Sequence, residues 1–181
     1  MTAATSNRAA QFVALPDEVA ARWSRFAKWD RVLFPSLIGL VVEEVRVDYC
    51  RMRLPFKPEL LQPAGLVHGG AIATLLDSVV VPAVGAAYGP DARYSTVDMH
   101  VQFIGAVVSD DIVAEGWVVR RGRSVVFCES EAFNAANGKL IAKSVLTYSV
   151  SGSVSGSVSG SVSGSVSGNV SGSVSGGSSP R

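Results

Sequence analysis

Apolar and polar positions divide the chain into segments of different period. Val19, Trp23, Phe26 and Ala27 recur at helical spacing behind Pro16 and Asp17, with Glu18, Arg22 and Arg25 on the opposite side. This predicts an amphipathic helix from Asp17 to about Arg31, with Pro35 ending the region. From Ser36 to Phe56 the period shortens. Val45, Val47 and Tyr49 alternate with Arg46, Asp48 and Cys50, which predicts one long strand or two short ones. Pro55, Pro58 and Pro63 break that pattern and mark a loop from about Lys57 to Val67.

The run AIATLLDSVVVPAVGAAY after Gly69 and Gly70 predicts a helix from about Gly70 to Ala87, apolar nearly all round and so buried on most sides. Pro82 removes the hydrogen bond to the Ser78 carbonyl and is expected to kink it. Four strand-like segments follow, at about Tyr94–Ala106, Ile112–Arg121, Ser124–Asn134 and Lys139–Val150. The turn residues between them, Ser109-Asp110-Asp111, Arg121-Gly122-Arg123 and Asn137-Gly138, predict an antiparallel meander. A curved sheet wrapped around the long helix would supply the apolar cover that helix needs.

From Ser151 the chain repeats a four-residue unit of Ser and Gly with Val154, Val158, Val162, Val166, Val170 and Val174. So few apolar groups cannot offset the entropy of ordering, and residues 151–181 read as a flexible, disordered tail. The expected organisation is an N-terminal segment over 1–35, one domain over 36–150, and the tail.

Composition narrows the function classes. The 181 residues are 48% hydrophobic and 17% charged with net charge +1, and they form no basic stripe. No nucleic-acid partner is expected. The most apolar stretch, Ala71 to Ala87, is interrupted by Asp77 and Pro82, so no membrane partner is expected. The N-terminus shows no targeting pattern, and a cytoplasmic location is the default. Two histidines and two separated cysteines form no ligand spacing, so neither a metal site nor a cofactor is expected.

Candidate chemistry gathers in Gln62 to Asp77, QPAGLVHGGAIATLLD. Gly69 and Gly70 stand at a loop-to-helix junction. There, free N–H groups and the helix dipole could polarise a carbonyl, or the pair could be a packing turn. Asp77 is the one acid between Ala71 and Tyr88. It either reaches an aqueous cleft as a functional acid or caps a neighbouring strand. His68 could contact a ligand or hold the loop.

The set formed by Gln62, His68-Gly69-Gly70, Asp77, Ser95-Thr96-Val97-Asp98-Met99, Gln102-Phe103, Gly122-Arg123 and Asn137 to Ala142 resembles the hotdog-fold thioesterase superfamily. Within it, the resemblance is to the phenylacetate-degradation and medium-chain acyl-CoA thioesterase-like branch, over about Leu37 to Val150. It implies an α+β hotdog fold, a curved antiparallel sheet around a central helix, assembled as a homodimer or homotetramer with sites at the subunit interface. It implies an acyl-CoA substrate. Asp77 would be the catalytic carboxylate, as base or nucleophile, supplied across the interface. Gly70 N–H would polarise the thioester carbonyl beside Gly69, and His68 would orient that region or contact the thioester. Gln62 would orient water or substrate, and Thr96 would approach from the other subunit. Arg121 and Arg123 would either meet the coenzyme A phosphates or be turn-flanking surface charge. His100 is expected to be structural. A hotdog-fold dehydratase or hydratase and a non-catalytic acyl-CoA-binding protein remain as alternatives.

Overall fold

A computed structural model describes residues 8–151; the tail expectation lies outside them apart from Ser151. In chain order the elements are a short 3-10 turn (Arg8–Gln11), α1 (Asp17–Ser24), α2 (Phe34–Ile38), β1 (Val41–Arg46), β2 (Tyr49–Leu54), a 3-10 turn (Pro58–Leu60), α3 (Gly69–Gly85), β3 (Arg93–Phe103), β4 (Ile112–Arg121), β5 (Val125–Asn134) and β6 (Leu140–Ser151). The six strands form one antiparallel sheet in the order β1-β2-β4-β5-β6-β3. α3 lies along its inner face.

Leu75, Leu76, Val79, Val80, Ala83 and Val84 of α3 are fully buried. Each of the Leu and Val side chains stabilises the fold by about 1.5–3 kcal/mol. α3 presses closely on β4 because Gly116 has no side chain. A Cβ there would lie 2.8 Å from both Val79 Cγ1 and Val80 Cγ1. Gly116→Ala is therefore expected to lower stability by about 1–3 kcal/mol, read as a fall in the midpoint of urea unfolding.

Three expectations need correcting. α1 stops at Ser24 rather than near Arg31. The chain turns through Arg25 and Phe26 into Ala27 at φ 64, a left-handed conformation a helix cannot continue through. Trp23, buried against the Gly85 position, anchors it there. Pro35 opens the short α2 rather than ending a region, because proline suits the first helical turn. Ser36 Oγ accepts from Leu33 N–H at 2.9 Å, and Gly39 at φ 86 closes α2, so the strand region begins at Val41. β1 and β2 are then two short strands joined by Val47 and Asp48, with Asp48 at φ 62.

The third correction concerns the meander. β4, β5 and β6 form one, but β3 does not neighbour β4. β2 already occupies that edge, from Tyr49 opposite Trp117 to Leu54 opposite Ile112. β3 takes the free edge of β6, and the 104–111 link crosses the end of the sheet, held by Ile104 and Gly105 N–H groups on the Ile141 carbonyl. α3 continues past Pro82 to Gly85, its last turn closed by Ala86 N–H on the Pro82 carbonyl at 2.9 Å. From α1, the Arg22 guanidinium donates to the Gly85 and Tyr88 carbonyls at 3.3 and 3.1 Å, placing a cation at the negative end of the α3 dipole.

Candidate active site

The start of α3 is set by the loop before it. His68 N–H bonds the Leu60 carbonyl and Val67 N–H the Val107 carbonyl, which fixes the direction in which the chain enters the helix. His68 is the N-cap, and its Nδ1 accepts from Gly70 N–H at 2.8 Å. The Gly70 donor expected to face a substrate is thus held by its neighbour's ring. With Nδ1 accepting, the neutral ring carries its proton on Nε2. His68 is exposed, and Gly69 packs against the Phe103 ring, which a Cβ would approach to 3.2 Å. Gln62 sits in the preceding turn, its Oε1 accepting from Ala64 N–H at 3.2 Å.

Asp77 lies two helical turns further on and is partly exposed. Its Oδ1 accepts from two hydroxyls, Thr96 Oγ1 at 2.7 Å and Tyr148 Oη at 2.9 Å. Sheet register explains the convergence. Thr96 on β3 stands directly opposite Tyr148 on β6, both on the face turned to α3. A bulge between Thr96 and Asp98 follows at once, the kind of irregularity that re-aims a side chain. Thr96 therefore reaches Asp77 within one chain. Tyr148 is 1% exposed, and burial first, then the charge of Asp77, pushes its phenol well above the ordinary range, so it stays a donor.

Sequence reasoning missed Tyr148. A signal was present: it is the one inward-facing polar tip among Leu146, Tyr148 and Val150, opposite a helix with a single acid. A buried phenol needs a partner.

The two arginines separate. Arg121 turns inward, its side chain 2% exposed. It pairs with the Asp48 carboxylate, donates to the Val84 carbonyl at 3.2 Å, and lies 4.9 Å over the Tyr88 ring. It is a strut of the fold, so turn-flanking surface charge, one of its two readings, does not describe it. Arg123 stays exposed in the turn. His100 lies on the outer face opposite Val145, away from Asp77. Neither thiol is a usable nucleophile: both are buried, and burial pushes Cys50 well up and Cys128 up to about 12. Among the described residues no helix is long and apolar enough to cross a membrane.

A helix wrapped by an antiparallel sheet, with glycines at its start and one carboxylate midway, defines the hotdog class. The chain belongs to the thioesterase superfamily, which it matches over residues 64–141. It is 30% identical to human acyl-coenzyme A thioesterase 13 over 127 residues, which is 70% of this chain and 87% of the relative. Among solved structures it is similar to zebrafish thioesterase superfamily member 2, at 26% identity and TM-score 0.61, covering 70% of this chain and 91% of that one. The fold is shared with the E. coli PaaI protein of the phenylacetic acid degradation operon, at 15% identity and TM-score 0.65, over 74% and 95% of the two chains.

Proposed function

We propose that this protein hydrolyses an acyl-CoA thioester, with Asp77 activating water at a site completed by a second copy of the chain. The observation that carries the reading is the state of Asp77. Its carboxylate is fixed at Oδ1 by Thr96 and Tyr148, while Oδ2 has no partner among the described residues and is not a sealed, unpartnered atom. Gly70 is seven residues earlier, roughly 10 Å along the helix. One thioester cannot touch both groups of one chain, because reacting groups must lie about 3 Å from it.

A second copy resolves the separation. β3 is an edge strand, and Val97, Phe103 and Ile104 beside it are 54–65% exposed. Such an edge invites pairing with another chain. Pairing of two β3 edges would give a homodimer in which Asp77 of one copy faces the α3 start of the other.

In this arrangement Asp77 takes a proton as water adds to the thioester carbonyl. Gly70 N–H of the second copy stabilises the oxyanion after the His68 ring swings off it. Collapse breaks the carbon–sulfur bond, and the departing thiolate takes the proton back from Asp77. His68 and Gln62 orient the acyl group and water, Gly69 leaves room for the approach, and Arg123 meets the coenzyme A phosphates. The name of the human relative supports acyl-CoA as the substrate class.

Thiol release from a panel of aliphatic and aryl acyl-CoAs tests the reaction. Turnover is expected, and acyl-CoA bound without thiol release by any member would leave a binding protein instead. Complementation tests the shared site. Mixed and re-formed from separately inactive Asp77→Asn and Gly70→Pro chains, the protein should regain up to about a quarter of wild-type activity, because half of random dimers are mixed and each has one intact site of two.

A further inference from the structure

We infer that Tyr148 is a positioning residue for the Asp77 carboxylate, binding Oδ1 so that Oδ2 is the working oxygen. The inference rests on the hydrolytic reading above. Three observations carry it. The Tyr148 hydroxyl lies 2.9 Å from Asp77 Oδ1 and 3.0 Å from the Asp77 backbone carbonyl, so its single proton has two acceptors on one residue. Thr96 donates to the same Oδ1 and leaves Oδ2 alone. The neighbouring Leu76 carbonyl is held from the same side of the sheet by Ser130 Oγ at 3.0 Å, itself bonded to Ser144 Oγ at 2.9 Å. The sheet thus grips α3 at the Asp77 turn through two adjacent carbonyls, which sets both the rotation of the helix and the direction of the carboxylate.

The second acceptor gives the phenol a further use. While Asp77 is charged, the carboxylate is the stronger acceptor and draws the proton to Oδ1. Once Asp77 has taken the proton from water, the phenol can turn to the Asp77 carbonyl without losing a bond. The carboxylate is held where it must be reactive, and the buried hydroxyl is never left unpaired. The groups that bear on Tyr148 are Asp77 from α3, Cys128 from β5 and the neutral Thr96 hydroxyl from β3. The phenol stays protonated across the working range, so it acts as a donor and not as a base.

Tyr148→Phe removes only the hydroxyl from a buried ring. In thiol-release kinetics it is expected to lower kcat by about 10-fold or more with KM nearly unchanged. A merely structural loss would lower Tm or assembly and leave kcat per folded site in place. Thr96→Val should lower kcat in the same way, and Thr96→Ser should restore it. Should Tyr148→Phe fail to assemble, fluorotyrosine placed at position 148 keeps the shape with a stronger donor and should change kcat by at least about two-fold with KM unchanged. If kcat does not move in the position-148 variants while Asp77→Asn is inactive, the inference fails alone. If Asp77→Asn keeps full turnover, the hydrolytic reading fails and takes the inference with it.

Discussion

Asp77→Asn is expected to lower kcat for acyl-CoA hydrolysis by about a hundred- to ten-thousand-fold, the range for removing a general base. The substitution is nearly isosteric. The amide oxygen can still accept from Thr96 and Tyr148, which lie 2.7 and 2.9 Å from Oδ1, so the surroundings of α3 have no reason to move. What disappears is the second oxygen, the one with no partner among the described residues. The effect should appear in kcat rather than KM, because in the proposed mechanism that oxygen meets water and not the acyl group. Single-turnover thiol release, with thermal unfolding and sedimentation on the same samples, is the measurement. A folded variant of unchanged oligomeric state that still turns over at the wild-type rate would remove Asp77 from the mechanism.

Arg121→Ala carries the second large effect, and it falls on stability instead of substrate binding. Removing the guanidinium leaves the Asp48 carboxylate and the Val84 carbonyl without that donor, and uncovers one face of the Tyr88 ring. Breaking a buried pair on one side typically costs about 3–5 kcal/mol. Asp48 keeps some access to water, its side chain 21% exposed, which places the expected loss near the lower end, about 3 kcal/mol. For a domain of this size that corresponds to a fall in Tm of roughly 6–12 °C. KM for acyl-CoA should change by less than about two-fold, since a strut of the fold makes no uniform contribution to ligand binding. Arg123→Ala should behave in the opposite way, with Tm unchanged and KM raised. A rise in KM at Arg121 with stability intact would return that residue to the phosphate role suggested by its place in the turn.

The contrast between these two arginines shows where sequence reading reaches its limit. Arg121 and Arg123 flank Gly122 and look equivalent on paper. The β4 register places Arg121 opposite Val126, on the face turned to the core, where Asp48 waits at the left-handed corner between β1 and β2. A bulge between Val118 and Arg120 shifts the alternation just before the turn, so counting inward and outward positions along β4 does not reveal which arginine is buried. The place of Tyr148 is hidden in the sequence for a related reason. Its role depends on Thr96, more than fifty positions away in the chain, being its cross-strand partner, and on α3 presenting Asp77 to that pair.

Local chemistry along the chain specifies several elements. It marked the buried helix, because seventeen residues with one charge need apolar cover nearly all round, and the four long strands, because alternation and turn residues agree. The sequence offered Asp77 and the His68-Gly69-Gly70 junction as candidates for chemistry through the resemblance of the whole set to the thioesterase pattern, since an acid on an apolar helix or a glycine pair alone leaves a packing or capping role open. The rest depends on contacts between distant segments, which packing selects. β3 joins β6 because β2 occupies the edge of β4. Thr96 and Tyr148 converge on one oxygen because the register aligns them. Gly70 N–H is held by His68 because the entering loop sets that ring over the helix end. Each is a choice among partners that the chain could equally have offered, and only packing, by filling one edge and one face before another, excludes the rest.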